Sequence, residues 1–481
     1  MDPLVVVGGD AAGLSAASKC KREDPDREVV VFEKGAWVSY AHCGTPYYVK
    51  GEVEELTDLI SLTPEEIEER DIALHRDHEV TAIDPEAKTV TVAGPDGERE
   101  QAYGDLLLGT GAHATQPFET GEDVFTLHGL PDAAAIRARV DPDFSPDDAA
   151  LGPMDPDTIR PYAERPAPET VAIVGGGYVG VEMAEAFSAY GIEVHLFQRG
   201  DLLPPFGPAV AESVESALDS EGVVVHTGTE VDGFDAGDEG VSGIRYDGGE
   251  RLAIDIAVVG VGITPNTDIA EAADIALGET GAVAVDRYGR TDTERVYAAG
   301  DVAESRHTVT GEPTWVPLGL TANRAGRAIG ETIAGEPTPV GDVAGTAVVK
   351  AFDLGAGRAG FVTESEARDA GFEPVSETIT AGSRSGYYPG AAETTVTLTA
   401  DRGTGRVLGG ASSGPTARQS ASTPSRPRST PATPSPSSNG WIWRTHRPSR
   451  PSGIRFSSRR RCSLTRCSPY TFESRRRIYG R

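Results

Sequence analysis

The chain is short of sulfur, of aromatic rings and of long apolar runs, and each shortage closes off a class of protein. Only 4 cysteines occur in 481 residues. Placed at Cys20, Cys43, Cys462 and Cys467, they are too scattered to form a disulfide framework, so a reducing, cytoplasmic setting is expected. No run of 18 apolar residues is present, and a helical membrane span is excluded. Met1-Asp2-Pro3 enters the apolar run Leu4-Val5-Val6-Val7 at once, so no secretory leader is expected. Basic residues are also scarce, but unevenly. From Ala411 onward there are 15 Arg, no Lys and one acid, Glu473, a net of +14. The first 410 residues hold 29 basic and 73 acidic residues, a net of −44. So acidic a body excludes nucleic acid and anionic membrane as partners. It fits a halophilic protein working where the Debye length shrinks to about 3 Å at 1 M salt; an ordinary acidic enzyme is the alternative.

What the chain does have is glycine, 57 residues of it, at strand-to-helix turns. Leu4–Val7 runs into Gly8-Gly9-Asp10-Ala11-Ala12-Gly13, then an alanine-rich helical stretch, then a second strand ending at Glu33. The pattern restarts at Thr170–Val174 with Gly175-Gly176-Gly177-Tyr178-Val179-Gly180 and closes at Phe197. A dinucleotide pyrophosphate needs backbone N–H groups at a helix N-terminus and no side chain blocking its approach. The second turn has glycine at all three positions of G-x-G-x-x-G. The first has Gly8 and Gly13 with Gly9 between them, but Asp10 in the middle. Glu33, followed by Lys34, is placed to accept a ribose hydroxyl. In the second unit the matching place holds Gln198 and then Arg199, which tolerate or pair with a 2′-phosphate. NADPH is therefore expected there, with NADH as the alternative. Glu182, two residues past the second motif, either contacts the nicotinamide side or is solvated.

Length predicts about three domains of roughly 150 residues. We place a first flavin-binding segment at 1–118, a nicotinamide domain at 119–285, the rest of the flavin domain at 286–340, and a partial third domain at 345–410. Residues 141–168 carry seven prolines and seven acids, and an exposed insertion that cannot pack is expected there. Leu318–Gly335 reads as a helix, and 347–350 and 394–399 as strands. Residues 411–481 are rich in Ser, Pro and Arg, without sustained periodicity. Codons for Ser438–Ser449 can be chosen so that the neighbouring frame reads LEWMDLAYAPPF, which has helical periodicity and then a proline turn. A frameshift near Ala411 is expected; a genuine basic tail is the alternative.

In order along the chain, Gly8–Gly13, Leu107-Leu108-Gly109-Thr110-Gly111-Ala112, Gly175–Gly180 and Tyr297-Ala298-Ala299-Gly300-Asp301 resemble the motifs of the two-dinucleotide flavoprotein disulfide reductases. The likeness covers about residues 1–410. It implies an α/β protein with two doubly wound dinucleotide-binding domains and a smaller α+β dimerisation domain. Its cofactors would be FAD, held in part by Thr110, Gly111, Gly300 and Asp301, and NADPH or NADH. The relatives with C-x4-C do not fit, since Val38 stands five before Cys43, and the nicotinamide domain has no cysteine. Ser39-Tyr40-Ala41-His42-Cys43-Gly44 instead is similar to the single-cysteine group of coenzyme A disulfide reductases, NADH oxidases and persulfide reductases.

That resemblance implies a catalytic Cys43 that forms a mixed disulfide with coenzyme A. At a helix N-terminus its thiol is expected below the usual value of about 8.5. The resemblance also implies a coenzyme A cleft lined by Ser15, Lys19, Arg22, Ser39, His42 (where the family usually has Asn), Arg70 and His307. Tyr387 and Tyr388 would reach into a partner subunit's site as proton donors. The activity implied is NAD(P)H-dependent reduction of coenzyme A disulfide by a homodimer. The alternatives are an NADH oxidase or persulfide/polysulfide reductase, or an inactive flavoprotein remnant. No metal site is expected.

Overall fold

A computed structural model describes residues 2–416 apart from 120, 238, 239 and 388. Two five-stranded parallel sheets dominate it. The first is ordered Val296–Ala298, Asp105–Leu108, Leu4–Val7, Val29–Phe32, Ala73–His75. The second is ordered Val224–Thr227, Glu193–Gln198, Thr170–Val174, Ile256–Val259, Val124–Thr126. Leu4–Val7, Val29–Phe32 and Asp105–Leu108 in the first and Ile256–Val259 in the second are buried along their whole length. They read as continuous apolar runs because helices cover both faces of a parallel sheet. The first sheet is assembled from distant parts of the chain: its 296–298 strand arrives only after the whole second sheet has been built.

The helix Ala11–Glu23 that follows the first strand lies against the helix Gly319–Ile333. Their closeness is set by missing side chains. A Cβ at Gly326 would stand 2.2 Å from the Ala12 carbonyl oxygen, and one at Gly330 2.5 Å from that of Ala16. Glycines four apart line one face of a helix, so the two backbones touch along a full turn.

The third region is a five-stranded antiparallel sheet ordered 347–351, 354–360, 407–415, 393–401, 374–382. It corrects one boundary. The 407–415 strand runs through Ala411 without interruption, pairing Ala411 with both Arg358 and Thr397 and burying Ala411 and Ser413. Ladder bonds need only backbone groups, so the compositional break does not end the sheet. The expected frameshifted or basic tail otherwise lies outside the described residues.

Residues 141–168 are the second correction. Leu151 and Ile159 are buried in the largest core, and Phe144, Met154 and Tyr162 pack on its edge. The acids stay outside, where Arg160 pairs with Asp147 and Asp157. Few apolar residues suffice because an existing core receives them. Among the described residues, no helix is long and apolar enough to cross a membrane.

Candidate active site

Both glycine turns solve the same steric problem. A Cβ on Gly13 would sit 1.9 Å from the Gly8 carbonyl oxygen, and a Cβ on Gly180 1.9 Å from that of Gly175. Each third glycine therefore lets its helix start hard against its strand. The middle positions differ. Gly177 is extended (φ −82°, ψ −163°), and a Cβ there would meet nothing within 4 Å. Its bareness leaves room in front of the helix for a phosphate. Asp10 holds a similar extended backbone (φ −120°, ψ −151°) at the first turn.

The strand ends behind the turns match as well. Glu33 Oε2 accepts from the Gly9 N–H at 2.8 Å and Oε1 from the Gly35 N–H at 2.9 Å. Burial pushes the Glu33 carboxyl up, and the Gly9 and Gly35 N–H bonds oppose this. Gln198 Oε1 accepts from the Gly176 N–H at 3.0 Å, while its Nε2 donates to the Asp201 carbonyl at 3.1 Å. Lys34 and Arg199, one residue beyond each, are exposed. Thr110 and Gly111 lie at the crossing between the sheets. There Thr110 Oγ1 donates to the Asn266 carbonyl and Asn266 Nδ2 to that of Thr110.

The cysteine turn is fastened to the first glycine turn. The Ser39 N–H donates to the Gly9 carbonyl at 3.1 Å, and Cys43 follows, exposed, in the short helical turn His42–Gly44. The expected low thiol pKa is corrected: although the residue reaches the surface, desolvation of its sulfur pushes the thiol up, and the charge of Glu182 adds to it. The helix that begins at Thr45 has only five residues, too short for its dipole to outweigh these effects. Cys20 is buried, and burial lifts its thiol to about 11. It packs in a core and takes no part in chemistry.

Glu182 and Glu185, one turn apart on the helix Tyr178–Ser188, are driven in opposite directions. Burial and the neighbouring Glu185 push Glu182 up to about 7. Glu185 is buried too, but its Oε1 takes Lys50 Nζ at 2.8 Å and Lys350 Nζ, and its Oε2 the Phe352 N–H at 2.7 Å. These hold it below the usual carboxylate value despite burial. Sequence reading passed over Glu185. The signal was two acids, three apart, on an otherwise apolar helix.

The remaining expected residues fall into groups. Ser15 Oγ donates to Asn323 Oδ1 at 2.7 Å. Lys19 sits between Glu23 and Glu331, both at 2.6 Å, so its charge is already matched. Arg22 and Arg70 are exposed. Gly300 and Asp301 follow the last strand of the first sheet; burial pushes the Asp301 carboxyl up and His42 opposes this. Trp315 Nε1 donates to the Asp301 carbonyl at 2.8 Å.

His42 turns toward the first glycine turn: Nε2 faces Asp10 Oδ2 and Nδ1 faces the His128 carbonyl at 3.2 Å. His307 is buried, its ring centroid 4.6 Å from that of Phe361, with Nδ1 unpartnered. Burial holds its imidazole below the usual value, helped by Arg358 and Arg406. Tyr387 is 85% exposed on the 383–392 loop. Tyr388 lies outside the described residues.

Two glycine turns, one exposed thiol between them and a late Gly-Asp turn form the framework of a known family. The family model described as pyridine nucleotide-disulphide oxidoreductase matches residues 2–322. The chain belongs to that family. An NAD(P)H sulfur oxidoreductase (CoA-dependent) from Pyrococcus abyssi is 37% identical over 418 residues, covering 84% of this chain and 86% of the relative. A coenzyme A disulfide reductase from Staphylococcus haemolyticus is 29% identical, covering 81% and 83%. Among solved structures, an NAD-dependent persulfide reductase from A. fulgidus superposes with a TM-score of 0.78 at 33% identity, covering 86% of this chain and 74% of that one. The protein is thus an FAD- and NAD(P)H-dependent oxidoreductase. Its residues fit such cofactors: neither helix N-terminus is capped by a side chain, and a Cβ at Gly177 would meet nothing within 4 Å.

Proposed function

We propose that this enzyme reduces low-molecular-weight disulfides, coenzyme A disulfide first among them, through a mixed disulfide at Cys43. One observation carries the reading: Cys43 is the only exposed thiol among the described residues, beside the first phosphate turn, while Cys20 is sealed in a core. A lone thiol must find its sulfur partner in the substrate. When bound, FAD would relay the two electrons of the nicotinamide hydride to sulfur.

The residues would act as follows. Glu182, the acid whose charge reaches Cys43, titrates near neutrality and is suited to take the thiol proton. Cys43 Sγ⁻ attacks R–S–S–R, forming Cys43–S–S–R and releasing RS⁻. Two electrons and one proton then regenerate the thiolate and release RSH. Glycines 8, 9, 13, 300 and 111 with Glu33, Lys34, Thr110 and Asp301 would hold FAD. Gly175, Gly177, Gly180, Gln198 and Arg199 would hold the nicotinamide nucleotide. Ser15, Lys19, Arg22, Ser39, Arg70 and His307 are proposed coenzyme A contacts, of which Arg22 is exposed and Lys19 must exchange a carboxylate for phosphate. Tyr387, exposed on the loop that joins the strands of Ile379 and Leu398, themselves exposed, is proposed to face a second copy of the chain.

The names of the Pyrococcus abyssi and A. fulgidus relatives, a sulfur oxidoreductase and a persulfide reductase, favour a second reading, sulfur or persulfide as acceptor. One assay separates them. NAD(P)H consumption is followed with coenzyme A disulfide, with polysulfide plus coenzyme A, and with oxygen alone. Thiol release from the disulfide supports the first reading, sulfide release the second, and oxygen-only turnover overturns both.

A further inference from the structure

We infer that His42 and Asp10 form a charge-compensating pair that governs how tightly the flavin pyrophosphate is held. The inference rests on the flavin-binding reading of the first glycine turn. Asp10 occupies the N-cap of the 13-residue helix Ala11–Glu23, where aspartate ordinarily accepts the first free N–H groups. It does not cap the helix. Its carboxylate turns to His42 Nε2 instead, leaving the helix N–H groups open to an anion. In the second unit the same position is Gly177, and nothing there adds charge to the phosphate site.

A carboxylate at this place is a fixed negative charge beside an incoming pyrophosphate. His42 cancels it. Both ring nitrogens face acceptors, Asp10 Oδ2 and the His128 carbonyl oxygen, so the geometry calls for the imidazolium, which donates from both. The ring stacks on Tyr40 with centroids 4.2 Å apart. Around it stand Asp301 on the late turn, the His128 imidazole at 5.9 Å, and Asp132, which accepts the His128 and Gly129 N–H groups. Glu33 and Asp10 both bear on Tyr40. Among the described residues, no lysine or arginine pairs with Asp10. Burial opposes the His42 charge, but Asp10, the His128 carbonyl and Asp301 outweigh it and lift its pKa above the usual 6.5. Loss of that proton exposes the Asp10 charge to the phosphates. The residue beside the catalytic cysteine is thereby a positioning residue for the flavin.

The test uses the full-chain holoenzyme, diluted into buffers from pH 6 to 9, with flavin release read as a rise in its fluorescence. The expected result is that the dissociation constant of the wild type rises about tenfold over this range, the scale of one uncompensated charge near a phosphate. Asp10→Gly should hold flavin at least as tightly as the wild type at pH 6, with no pH dependence. His42→Gln should hold it about tenfold more weakly at pH 6, and the double variant should be restored to the Asp10→Gly level. A merely structural His42 would give no such rescue. Asp10→Gly retaining the wild-type pH dependence, or His42→Gln matching the wild type at pH 6, would overturn the inference. Should Asp10→Gly fail to fold by circular dichroism, Asp10→Asn makes the same comparison. Wild type purified without flavin and unable to take it up would instead sink the flavin reading itself.

Discussion

The two glycine turns are built on one steric plan, yet the first is charged where the second is neutral. Gly13 and Gly180 meet the same obstruction at the same 1.9 Å. Around them the first unit carries Asp10 and Glu33, and the second Gly177 and Gln198. Backbone geometry thus decides that a dinucleotide binds, while the side chains beside it decide which one and how firmly. The first turn is also tied to the cysteine turn through Ser39 and His42. The second turn has the matching backbone bond, from the Leu203 N–H to the Gly176 carbonyl at 2.8 Å, but the segment it fastens carries no cysteine.

The comparison is broken hardest at the thiol, which the first unit carries. Cys43→Ser should keep bound flavin and its bleaching by NAD(P)H, but lose disulfide reduction by about 10³-fold or more, since serine is a far weaker nucleophile toward sulfur. Steady-state turnover with coenzyme A disulfide checks this, and wild-type rates in the variant would defeat the mechanism.

Next come the matched glycines. Gly13→Ala puts a methyl group into the Gly8 carbonyl and should yield protein without flavin. Gly180→Ala, with the same clash at Gly175, should keep its flavin and lose reduction by NAD(P)H. Flavin content per chain and anaerobic bleaching read the two effects separately. If both variants lost the same cofactor, the two-site assignment would be wrong.

Much of this was legible in the residues because glycine spacing is a backbone requirement, visible wherever it occurs. The order of the motifs gave the α/β plan and the family, and the lone Cys43 is the ground of the proposed chemistry. What was not legible depends on contacts between distant segments. Nothing local in Asp10 or His42 announces a pair 32 residues apart. Lys19 looked like a free cation because Glu331 lies far along the chain. Leu151 and Ile159 looked too sparse to pack because the core receiving them comes from elsewhere. The Cys43 thiol was misjudged for the same reason: the fold desolvates it, and Glu182, which adds its charge, belongs to the other unit.

Glu185 joins the second unit to Lys50 of the first and Lys350 of the third region. Glu185→Gln strands two ammonium groups at a site where the carboxylate is 7% exposed, and should destabilise the fold by about 3 kcal/mol. Its folded pKa lies below the usual 4.5. The stabilisation is therefore present above that value and lost as pH falls through the lower folded one. The difference between wild type and variant in denaturant melts should be largest at pH 7 and shrink as pH falls below 4.5; equal midpoints at pH 7 would show the node to be dispensable.

The finest test converts the neutral unit into a likeness of the charged one. Gln198 already accepts the Gly176 N–H as Glu33 accepts that of Gly9, so Gln198→Glu preserves the acceptor while adding a negative charge. That charge repels a 2′-phosphate and accepts from a 2′-hydroxyl. The Asp201 carbonyl, which now receives Gln198 Nε2, loses its donor, but the 201 loop is exposed and water can replace it. The ratio of kcat/KM values should move toward NADH by about 1–3 kcal/mol, the scale of a hydrogen bond to a charged group. Because Arg199 remains, part of the NADPH activity should persist, and Gln198→Glu with Arg199→Ala should move the ratio further in the same direction. An unchanged ratio in both variants would place recognition of the ribose away from the end of this strand.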